Sequence, residues 1–293
     1  MKKVLITGGS GFLGRHLIKR LLSKYGEIKI GTISRNENGI ARMLMMCHSE
    51  RLKPVIGDIR DMDVVKYALR EVDTVVHLAA MKHIDFCEAH PMQAITINVT
   101  GTINLLKFFK GDTFIAMSTD KAVEASSCYG ATKLLLEKEV LTKAREDTSR
   151  RYIVIRSGNI FGSDGSVLEK WRQQIENSNE IVVTSLEMTR FFISVDTLSE
   201  FIVEVMEKGL NGNVYIPLQK AIILKDLATA AIALWGNKDT RVRVVGLRKG
   251  EKEHEKLFLL DEEIVTELED NSSQSVKKMD VGEITNLLRA SMK

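Results

Sequence analysis

The sequence predicts an α/β protein built on a doubly wound parallel sheet, with a smaller C-terminal lobe. Two observations support this prediction. Short apolar, β-branched runs alternate with longer helix-like stretches through the first half of the chain, and a glycine-rich turn directly follows the first of these runs. Strands that alternate with helices build a parallel sheet covered on both faces. In such a sheet, ligands bind at the carboxyl ends of the strands.

The first half of the chain shows the most regular pattern. Its expected strands are Val4–Thr7, Lys29–Ile33, Lys53–Ile56, Thr74–Leu78, Phe114–Met117 and Tyr152–Arg156, and its expected helices are Phe12–Lys24, Met62–Leu69, Pro91–Phe109 and Tyr129–Arg145. After Arg156 the pattern loosens. It then indicates a helix at Phe191–Lys208, a strand at Val214–Pro217 and a helix at Leu224–Trp235.

The composition excludes several classes of protein. Of the 293 residues, 44% are hydrophobic, which is enough for a sizeable core. The 42 Lys and Arg residues nearly balance the 39 Asp and Glu residues, so we expect no nucleic-acid partner. The 3 cysteines lack CxxC spacing, so we expect neither a disulfide nor a zinc site. The sequence contains no signal-peptide core and no run of about eighteen apolar residues, so we expect no membrane span and a cytoplasmic location.

The glycine-rich turn after the first strand is a candidate dinucleotide site. Its three glycines follow a GxxGxxG spacing. Glycine permits the tight turn, lets backbone N–H groups approach a pyrophosphate and allows the following helix to pack closely. The position at the first strand–helix junction favours this function over a plain turn. The candidate cofactor-binding residues of the turn are Gly8, Ser10, Gly11, Phe12, Leu13 and Gly14.

The end of the second strand predicts which nicotinamide cofactor binds. NAD-preferring sites carry an acidic residue there, which binds the ribose 2′-hydroxyl. This chain has Ser34 and Arg35 instead, and a guanidinium forms charge-assisted hydrogen bonds with a 2′-phosphate. We therefore expect NADP. Further cofactor contacts are expected at Asp58 and Ile59 after the third strand, and at Ala79 and Ala80 after the fourth.

These motifs divide the chain into two expected units. Residues 1–162 are expected to form an NADP-binding Rossmann-type domain, to which residues 191–217 return. Residues 163–293 are expected to form a substrate-binding lobe. No low-complexity linker interrupts the chain, so we expect the lobe to dock on the first domain without a flexible tether.

A tyrosine and a lysine form the candidate catalytic motif. Tyr129 and Lys133 are four residues apart and therefore share one face of the predicted helix. A nearby cation lowers the pKa of a phenol, which can then take a proton from a substrate hydroxyl as hydride leaves for the nicotinamide. The motif opens the helix after the fifth strand, downstream of the glycine turn. The two motifs together favour oxidation chemistry over a surface Tyr–Lys pair.

With these motifs, the chain resembles the extended short-chain dehydrogenases/reductases that act on nucleotide sugars. The fifth strand ends in Thr119-Asp120-Lys121. This triplet, followed by Tyr-x-x-x-Lys, resembles the inverting UDP-N-acetylglucosamine 4,6-dehydratases of bacterial glycan biosynthesis. The resemblance extends from Val4 to about Glu255. Matching segments lie at residues 79–83, 156–159, 162–167, 188–191 and 248–255, whereas residues 122–128 lack the Asn-Pro usual in that family.

The resemblance implies a role for each catalytic residue. Tyr129, supported by Thr119 and Lys133, deprotonates the C4 hydroxyl of the UDP-sugar while NADP+ takes the C4 hydride. Lys121 then removes the C5 proton, and Asp120 protonates the departing C6 hydroxyl. Hydride returns to C6 and a proton arrives on the opposite face of C5. Lys121 can act as a base only while it is neutral, and we expect that burial provides this state.

The resemblance also implies how the substrate and a second subunit bind. The candidate substrate-binding residues are Lys82, Asn159, Ser166, Val167, Arg190, Arg248 and Glu251. The two arginines suit the diphosphate, because a guanidinium fork binds phosphate oxygens well. The histidines show no metal-ligand spacing, so no metal is expected. Helices 91–109 and 129–145 pair across a dimer in this family, so we expect a homodimer or a higher homo-oligomer.

Three other functions remain open. A 5,6-dehydratase shares the oxidation and elimination steps but returns hydride to C4 and releases a 5,6-alkene. A 4-epimerase oxidises and reduces C4 and needs no acid–base pair for water loss. A non-catalytic NADP-binding scaffold would have little reason to contain Asp120, Lys121, Tyr129 and Lys133 together.

Overall fold

The computed structural model describes residues 3–248 and 250–291, and only the backbone of Ser291. The strands are β1 (Lys3–Thr7), β2 (Lys29–Ser34), β3 (Leu52–Ile56), β4 (Thr74–His77), β5 (Thr113–Thr119), β6 (Arg151–Ser157), β7 (Asn159–Ile160), β8 (Glu180–Val183), β9 (Thr189–Ile193), β10 (Val214–Ile216), β11 (Lys220–Ile223), β12 (Arg241–Val244) and β13 (Ile264–Thr266). The helices are α1 (Phe12–Lys24), α2 (Glu37–Cys47), α3 (Met62–Ala68), α4 (Ile84–Ala89), α5 (Pro91–Ile95), α6 (Gly101–Phe108), α7 (Cys128–Glu146), α8 (Val167–Ser178), α9 (Val195–Lys208), α10 (Leu224–Trp235) and α11 (Val281–Ser291). None of the described helices combines the length and the apolar character that a membrane crossing requires.

Eight parallel strands form the main sheet, in the order β13-β10-β6-β5-β4-β1-β2-β3. Strand β1 lies between β2 and β4, so the strand order reverses there. Ligands bind outside the carboxyl ends of the strands at such a switch point. The predicted doubly wound sheet is therefore confirmed, and the switch point lies where the glycine turn begins.

The residues of β1 alternate between two hydrophobic cores, one on each face of the sheet. Leu5 packs in the core that contains residues of α3, α6 and α7. Val4 and Ile6 pack in the opposite core, with residues of α1, α2 and α9. All three side chains are fully buried. This two-sided burial explains why the strand is apolar throughout instead of alternating with polar residues.

A third core belongs to the C-terminal part of the chain. It contains Trp171 of α8, Leu227 of α10 and Ile284 of α11. Strands β7, β9 and β11 form a three-stranded sheet and β8 pairs with β12. Strands β10 and β13, in contrast, belong to the main sheet. We propose that residues 1–162 and 191–217 form the first domain, joined by β13, and that most of the remaining residues form the lobe.

The predicted helix Pro91–Phe109 is interrupted by a π-helical turn at Thr96–Thr100. Asn98 of this turn is fully buried. Its side chain accepts a hydrogen bond from the backbone N–H of Met81 at 2.7 Å and donates to the Met81 carbonyl at 2.9 Å and to Thr132 Oγ1 at 3.0 Å. The wider turn therefore directs an amide into the interior. Such single π-turns are common near functional sites.

The predicted helix Phe191–Lys208 is wrong in its first part. Phe191–Ile193 belongs to β9, which pairs with β7 and β11. The helix α9 begins only at Val195, because Ser194 Oγ accepts a hydrogen bond from the Thr197 N–H at 3.0 Å and caps it. The sequence pattern also missed several short elements, namely α2, α4, α8, α11, β7, β8, β9, β11, β12 and β13.

A buried ion network joins α7 to the main sheet. Arg156 of β6 donates to both carboxylate oxygens of Glu137 of α7, at 3.0 and 2.7 Å. It also donates to Glu262 at 2.9 and 3.2 Å. Ser118 Oγ of β5 donates to Glu137 Oε1 at 2.5 Å. The network holds α7 against β5 and β6, the strands that lead into the candidate site.

Glu137→Ala tests this network. The change leaves the buried Arg156 without one of its partners, and removing one member of a buried ion pair costs about 3–5 kcal/mol. We expect a loss of that size in the free energy of unfolding, measured by urea denaturation. Glu146→Ala on the same helix removes the exposed partner of Lys143 and serves as the control, with a much smaller expected loss. Equal losses in the two variants would contradict a stabilising role for the network.

Candidate active site

A cleft of about 1170 Å³ lies at the carboxyl ends of the main-sheet strands. On one side it is lined by residues that follow β1, β2, β4 and β5. On the other side it is lined by residues 163–167, by β8 and β9, and by residues of the segment 248–255. Its volume exceeds that of an ordinary ligand pocket, about 300–1,000 Å³. The cleft is therefore large enough for two ligands side by side.

The glycine turn forms one end of the cleft. Gly8 has φ +70°, and a Cβ there would lie 2.9 Å from the Ala79 backbone nitrogen. A Cβ at Gly14 would lie 2.6 Å from the Gly8 carbonyl oxygen. The cap residue of α1, Gly11, has no side chain, so no side chain covers the first N–H groups of the helix. These features fit a pyrophosphate held by backbone N–H groups.

The end of β2 lies beside the glycine turn. Ser34 Oγ and Ser10 Oγ are 2.5 Å apart. Arg35 is exposed, and its Nη1 lies 3.4 Å from Asp58 Oδ2. Arg60, which the sequence pattern did not indicate, donates to the same oxygen at 2.7 Å. Burial raises the pKa of Asp58, but the hydrogen bonds with Arg60 and the positive charges of Arg60 and Arg35 together outweigh this effect, so the pKa is lowered. Two guanidinium groups therefore lie around one carboxylate at this end of the cleft.

The candidate acid and base are in direct contact. Lys121 Nζ donates to Asp120 Oδ1 at 2.8 Å and to Asn159 Oδ1 at 3.2 Å. Thr119 Oγ1 donates to the same Asp120 oxygen at 2.8 Å. Asp120 is fully buried, and its second oxygen, Oδ2, has no hydrogen-bond partner among the described residues. The pair is therefore not an exposed surface ion pair.

The start of α7 packs directly against this pair. Ser127 Oγ accepts a hydrogen bond from the Gly130 N–H at 3.2 Å and caps the helix. A Cβ at Gly130 would overlap the Lys121 carbonyl oxygen. Glycine is therefore required where the helix meets the 3₁₀ turn Asp120–Ala122. This contact brings Tyr129 to the same end of the cleft as Lys121.

The predicted effect of Lys133 on Tyr129 is not found. Burial and the Asp120 carboxylate raise the pKa of Tyr129, whereas the hydrogen bond with Thr119 lowers it. Lys133 shares the predicted helix face, but its ammonium donates to the Met117 carbonyl. Burial lowers the pKa of Lys133 to about 8, although Glu137 raises it. The cation is thus held by the backbone of β5 and not by the phenol.

The segment 163–166 crosses the opposite side of the cleft. Lys82 Nζ donates to the Asp164 carbonyl at 2.8 Å. The Asp164 carboxylate lies 3.6 Å from Arg15 Nη2 of α1. Gly165 has φ +72°, and a Cβ there would lie 2.5 Å from His83 Cε1. The segment therefore contacts the residues after β4 as well as the helix that follows the glycine turn.

The two candidate diphosphate arginines differ in their surroundings. Arg190 is buried and donates to the carbonyls of Thr189, Lys252 and Glu253 at 2.7, 2.7 and 3.0 Å. It therefore holds the segment 248–255 against β9. Arg248 is exposed at the mouth of the cleft, with Nη1 3.3 Å from Asp85 Oδ2.

All of the sequence-predicted site residues except the buried Asp120 line this cleft. The cofactor candidates among them are Gly8, Ser10, Gly11, Phe12, Leu13, Gly14, Ser34, Arg35, Asp58, Ile59, Ala79, Ala80, Tyr129 and Lys133. The substrate candidates are Lys82, Asn159, Ser166, Val167, Arg190, Arg248 and Glu251, and the remaining catalytic candidates are Thr119 and Lys121. In the described part of the chain, no group of three or more His, Cys, Asp or Glu residues could hold a metal ion.

One buried acidic residue of the cleft was not predicted from the sequence. Glu255 is 4% exposed, lines the cleft and has no hydrogen-bond partner for Oε2 among the described residues. Burial and Asp120 raise its pKa, whereas Lys121, Arg190 and Lys252 lower it. In the sequence, its only signal was its place at the end of the matching segment 248–255.

Comparison with known proteins agrees with this fold and identifies the family. The profile of the polysaccharide biosynthesis protein family matches residues 4–277. The uncharacterized membrane protein MJ1061 of Methanocaldococcus jannaschii is 35% identical over 284 residues, which cover 92% of this chain and 84% of that protein. The inverting UDP-N-acetylglucosamine 4,6-dehydratase of Campylobacter jejuni is 35% identical over 271 residues, which cover 90% of this chain and 80% of that protein. A UDP-glucose 4-epimerase of Rickettsia bellii is 33% identical over 269 residues, which cover 89% of this chain and 79% of that protein.

A solved structure matches nearly the whole chain. The X-ray structure of Pen from Bacillus thuringiensis superposes with a TM-score of 0.91 at 28% sequence identity, and the match covers 99% of this chain and 98% of that one. With the family profile and the glycine and Tyr-x-x-x-Lys motifs, this match leads to one assignment. The chain belongs to the polysaccharide biosynthesis protein family, and it resembles the extended short-chain dehydrogenases/reductases, in particular the inverting UDP-N-acetylglucosamine 4,6-dehydratases.

Proposed function

We propose that the protein is an NADP-dependent, inverting UDP-N-acetylglucosamine 4,6-dehydratase. It oxidises C4, eliminates water across C5 and C6, and returns hydride to C6 with inversion at C5. The observation that supports this function best is the 2.8 Å contact between the buried Asp120 and Lys121, which lines the cleft together with Tyr129 and Lys133. Loss of water needs an acid and a base, and this pair supplies both.

The residues present fit a nicotinamide dinucleotide. Gly8, Gly11 and Gly14 leave room for a pyrophosphate, and no side chain of the described residues caps the first N–H groups of α1, which can bind it. Ser34 and the exposed Arg35 lie where a ribose 2′-phosphate would bind, which favours NADP over NAD. When bound, the nicotinamide supplies the acceptor for the C4 hydride and the donor of hydride to C6.

Oxidation of C4 depends on Tyr129. Its phenol accepts the C4 hydroxyl proton, so it must first lose its own. In this structure, burial and Asp120 oppose that loss because they raise the phenol's pKa. A hydrogen bond from the Thr119 hydroxyl favours the phenolate, but this hydroxyl has one proton and can donate it either to the phenolate or to Asp120 Oδ1. Lys133 lies one helical turn further along α7, with its ammonium held by the Met117 carbonyl.

Elimination depends on the position of one proton between Lys121 and Asp120. As an ion pair, the lysine carries the proton and cannot act as a base. Transfer of that proton across the 2.8 Å hydrogen bond gives an amine and a carboxylic acid. The amine then takes the C5 proton, the C6–O bond breaks, and the acid gives its proton to the departing hydroxyl, which leaves as water. This step returns the pair to the ionic form.

The two sides of the cleft suit different parts of a UDP-sugar. Arg248 is the more accessible of the two candidate guanidinium groups, so it is the better diphosphate contact. Asn159 already contacts Lys121 at 3.2 Å and can orient the sugar against it. Exposed apolar side chains on the helices expected to pair in a dimer, Met92, Ile103 and Leu135, favour a homodimer.

A UDP-sugar 4-epimerase is the second candidate, because a 33% identical relative carries that name. An epimerase needs Tyr129 and Lys133 but has no step for a buried Asp–Lys pair. A 5,6-dehydratase needs all four residues, so the nature of its product distinguishes it from the proposed enzyme.

Incubation with UDP-N-acetylglucosamine and NADP+ in D2O tests the proposed function. We expect a product that has lost water and that carries a C6 methyl group and deuterium at C5. Mass spectrometry and proton NMR detect these changes. Vinyl protons would indicate the 5,6-dehydratase, and C4 inversion without loss of water would indicate the epimerase. No turnover at all would favour a non-catalytic NADP-binding scaffold.

Lys121→Ala separates oxidation from elimination. Without the amine, the C5 proton has no base, so we expect deuterium incorporation at C5 to fall by at least about 100-fold. Some C4 oxidation should persist, visible as reduced nicotinamide absorbance in a single turnover. Lys138→Ala, on the exposed face of α7, is the control and should match the wild type. Normal C5 exchange in Lys121→Ala would remove this residue from the base role.

Arg35→Ala tests the choice of cofactor. A hydrogen bond to a charged group contributes about 1.5–3 kcal/mol, so we expect NADP+ binding to weaken by about 10- to 100-fold. NAD+ binding should change little, because NAD+ has no 2′-phosphate. Calorimetric titration with both cofactors measures the two changes. Arg42→Ala on α2 is the matched surface control. Equal losses for both cofactors would contradict 2′-phosphate recognition by Arg35.

A further inference from the structure

Glu255 is a buried carboxyl group in the cleft that the proposed reaction has not used. It is 4% exposed, and its Oε2 has no hydrogen-bond partner among the described residues. Asp120 Oδ2 is also buried and also lacks a hydrogen-bond partner among the described residues. Two buried carboxyl groups, each with an oxygen that lacks a hydrogen bond, therefore interact electrostatically with Lys121.

The backbone holds Glu255 firmly in this position. Its N–H donates to Ser273 Oγ at 2.8 Å, and its carbonyl accepts from the Ser273 N–H at 2.8 Å. Ser273 is fully buried, and its Oγ lies 2.7 Å from Thr189 Oγ1 of β9. Because the main chain is fixed on both sides of the residue, the carboxyl group cannot move out to solvent without breaking these bonds.

The nearest cation on its own segment does not hydrogen-bond Glu255. Lys252 Nζ lies 3.6 Å from Oε2, but it donates to the Val123 carbonyl at 2.6 Å. A buried carboxylate oxygen without a hydrogen bond is costly, and burial favours the protonated form of such a group. Burial is the largest cause of the raised pKa of Glu255, and the negative charge of Asp120 raises it further. The cations Lys121, Arg190 and Lys252 oppose the rise but do not cancel it.

We propose that Glu255 is a neutral carboxylic acid in the working enzyme and that its neutral form lets the proton move from Lys121 to Asp120. This inference rests on the proposed dehydratase function. The three groups then hold two protons and no net charge in both arrangements. In one, the ammonium faces the Asp120 carboxylate and Glu255 is neutral. In the other, all three groups are neutral and the elimination can begin.

Ionised Glu255 would prevent this transfer. A second carboxylate beside Lys121 stabilises the ammonium form, because an opposite charge favours the charged state. The proton would then stay on Lys121, and no base would be present for C5. Glu255 is thus a positioning residue, which acts through Lys121 and not on the sugar. Its contribution is present while its proton is bound, and it is lost as the pH rises and that proton dissociates.

Carbon-13 NMR of protein labelled only at glutamate carboxyl carbons tests the protonation state directly. At neutral pH we expect one carboxyl resonance at the position of a protonated acid, absent from Glu255→Gln. Asp120 carries no label and cannot contribute. This measurement needs neither substrate nor turnover. If every glutamate resonance of the wild type is that of a carboxylate at neutral pH, the inference is wrong, whether or not the variant folds.

The rate of C5 deuterium incorporation across pH tests the consequence. The amide that Glu255→Gln introduces cannot ionise, so the ratio of the variant's rate to the wild-type rate should rise with pH, by up to about tenfold per unit once Glu255 ionises. A merely structural role would give a ratio independent of pH, which would overturn the inference. Glu263→Gln makes the same change at an exposed position, and its ratio should stay constant.

These tests separate the two proposals. If the wild type does not turn over UDP-N-acetylglucosamine, the proposed function fails, and the NMR measurement still decides the state of Glu255. If the wild type turns over and the rate ratio is flat, only the role of Glu255 fails.

Discussion

The contact between the start of α7 and the turn that ends β5 determines the rest of the site. Gly130 lies so close to the Lys121 carbonyl that any side chain there would overlap it. The buried Glu137–Arg156 pair holds the same helix to the sheet two turns further along. Groups on such fixed elements keep their mutual geometry better than groups on loops. The phenol of Tyr129 and the amine of Lys121 therefore belong to one rigid unit, whereas the substrate side of the cleft is built from separate segments.

Local sequence signals predicted this rigid unit well. The glycine spacing, the helix α1 and the helix that carries Tyr129 depend on contacts close in sequence, so their patterns are visible in a short window. The environment of Glu255 could not be predicted from the sequence, because it depends on contacts between residues far apart in the chain. Ser273, which binds the Glu255 backbone, lies 18 residues away from it, and Thr189, which binds Ser273, lies 84 residues away from Ser273. A periodic pattern in the sequence cannot indicate contacts between residues so far apart. The strand β13 was missed for the same reason, since its three residues form a strand only by pairing with β10.

Helical spacing predicted which residues share a face but not what each side chain contacts. Tyr129 and Lys133 do lie on one helix, four residues apart, yet the ammonium donates to the Met117 carbonyl. The direction of the tyrosine's pKa shift follows from burial and from Asp120, neither of which a Tyr-x-x-x-Lys pattern contains. The π-turn at Asn98 is a similar case, because its amide binds the Met81 backbone, a partner 17 residues away. Side-chain hydrogen bonding to distant backbone thus sets the electrostatics of this site.

The cost of burying carboxyl groups in the cleft argues for chemistry that transfers protons between buried groups. Asp120 and Glu255 each leave a carboxyl oxygen without a hydrogen bond in the described interior, and such groups destabilise a fold. Well-packed apolar residues would stabilise these positions more. An epimerase, which only exchanges hydride with C4, gains nothing from this arrangement. A dehydratase must hold an amine without its proton and an acid with one at the same moment, and the protonated Glu255 that we propose would not oppose that state with a second negative charge.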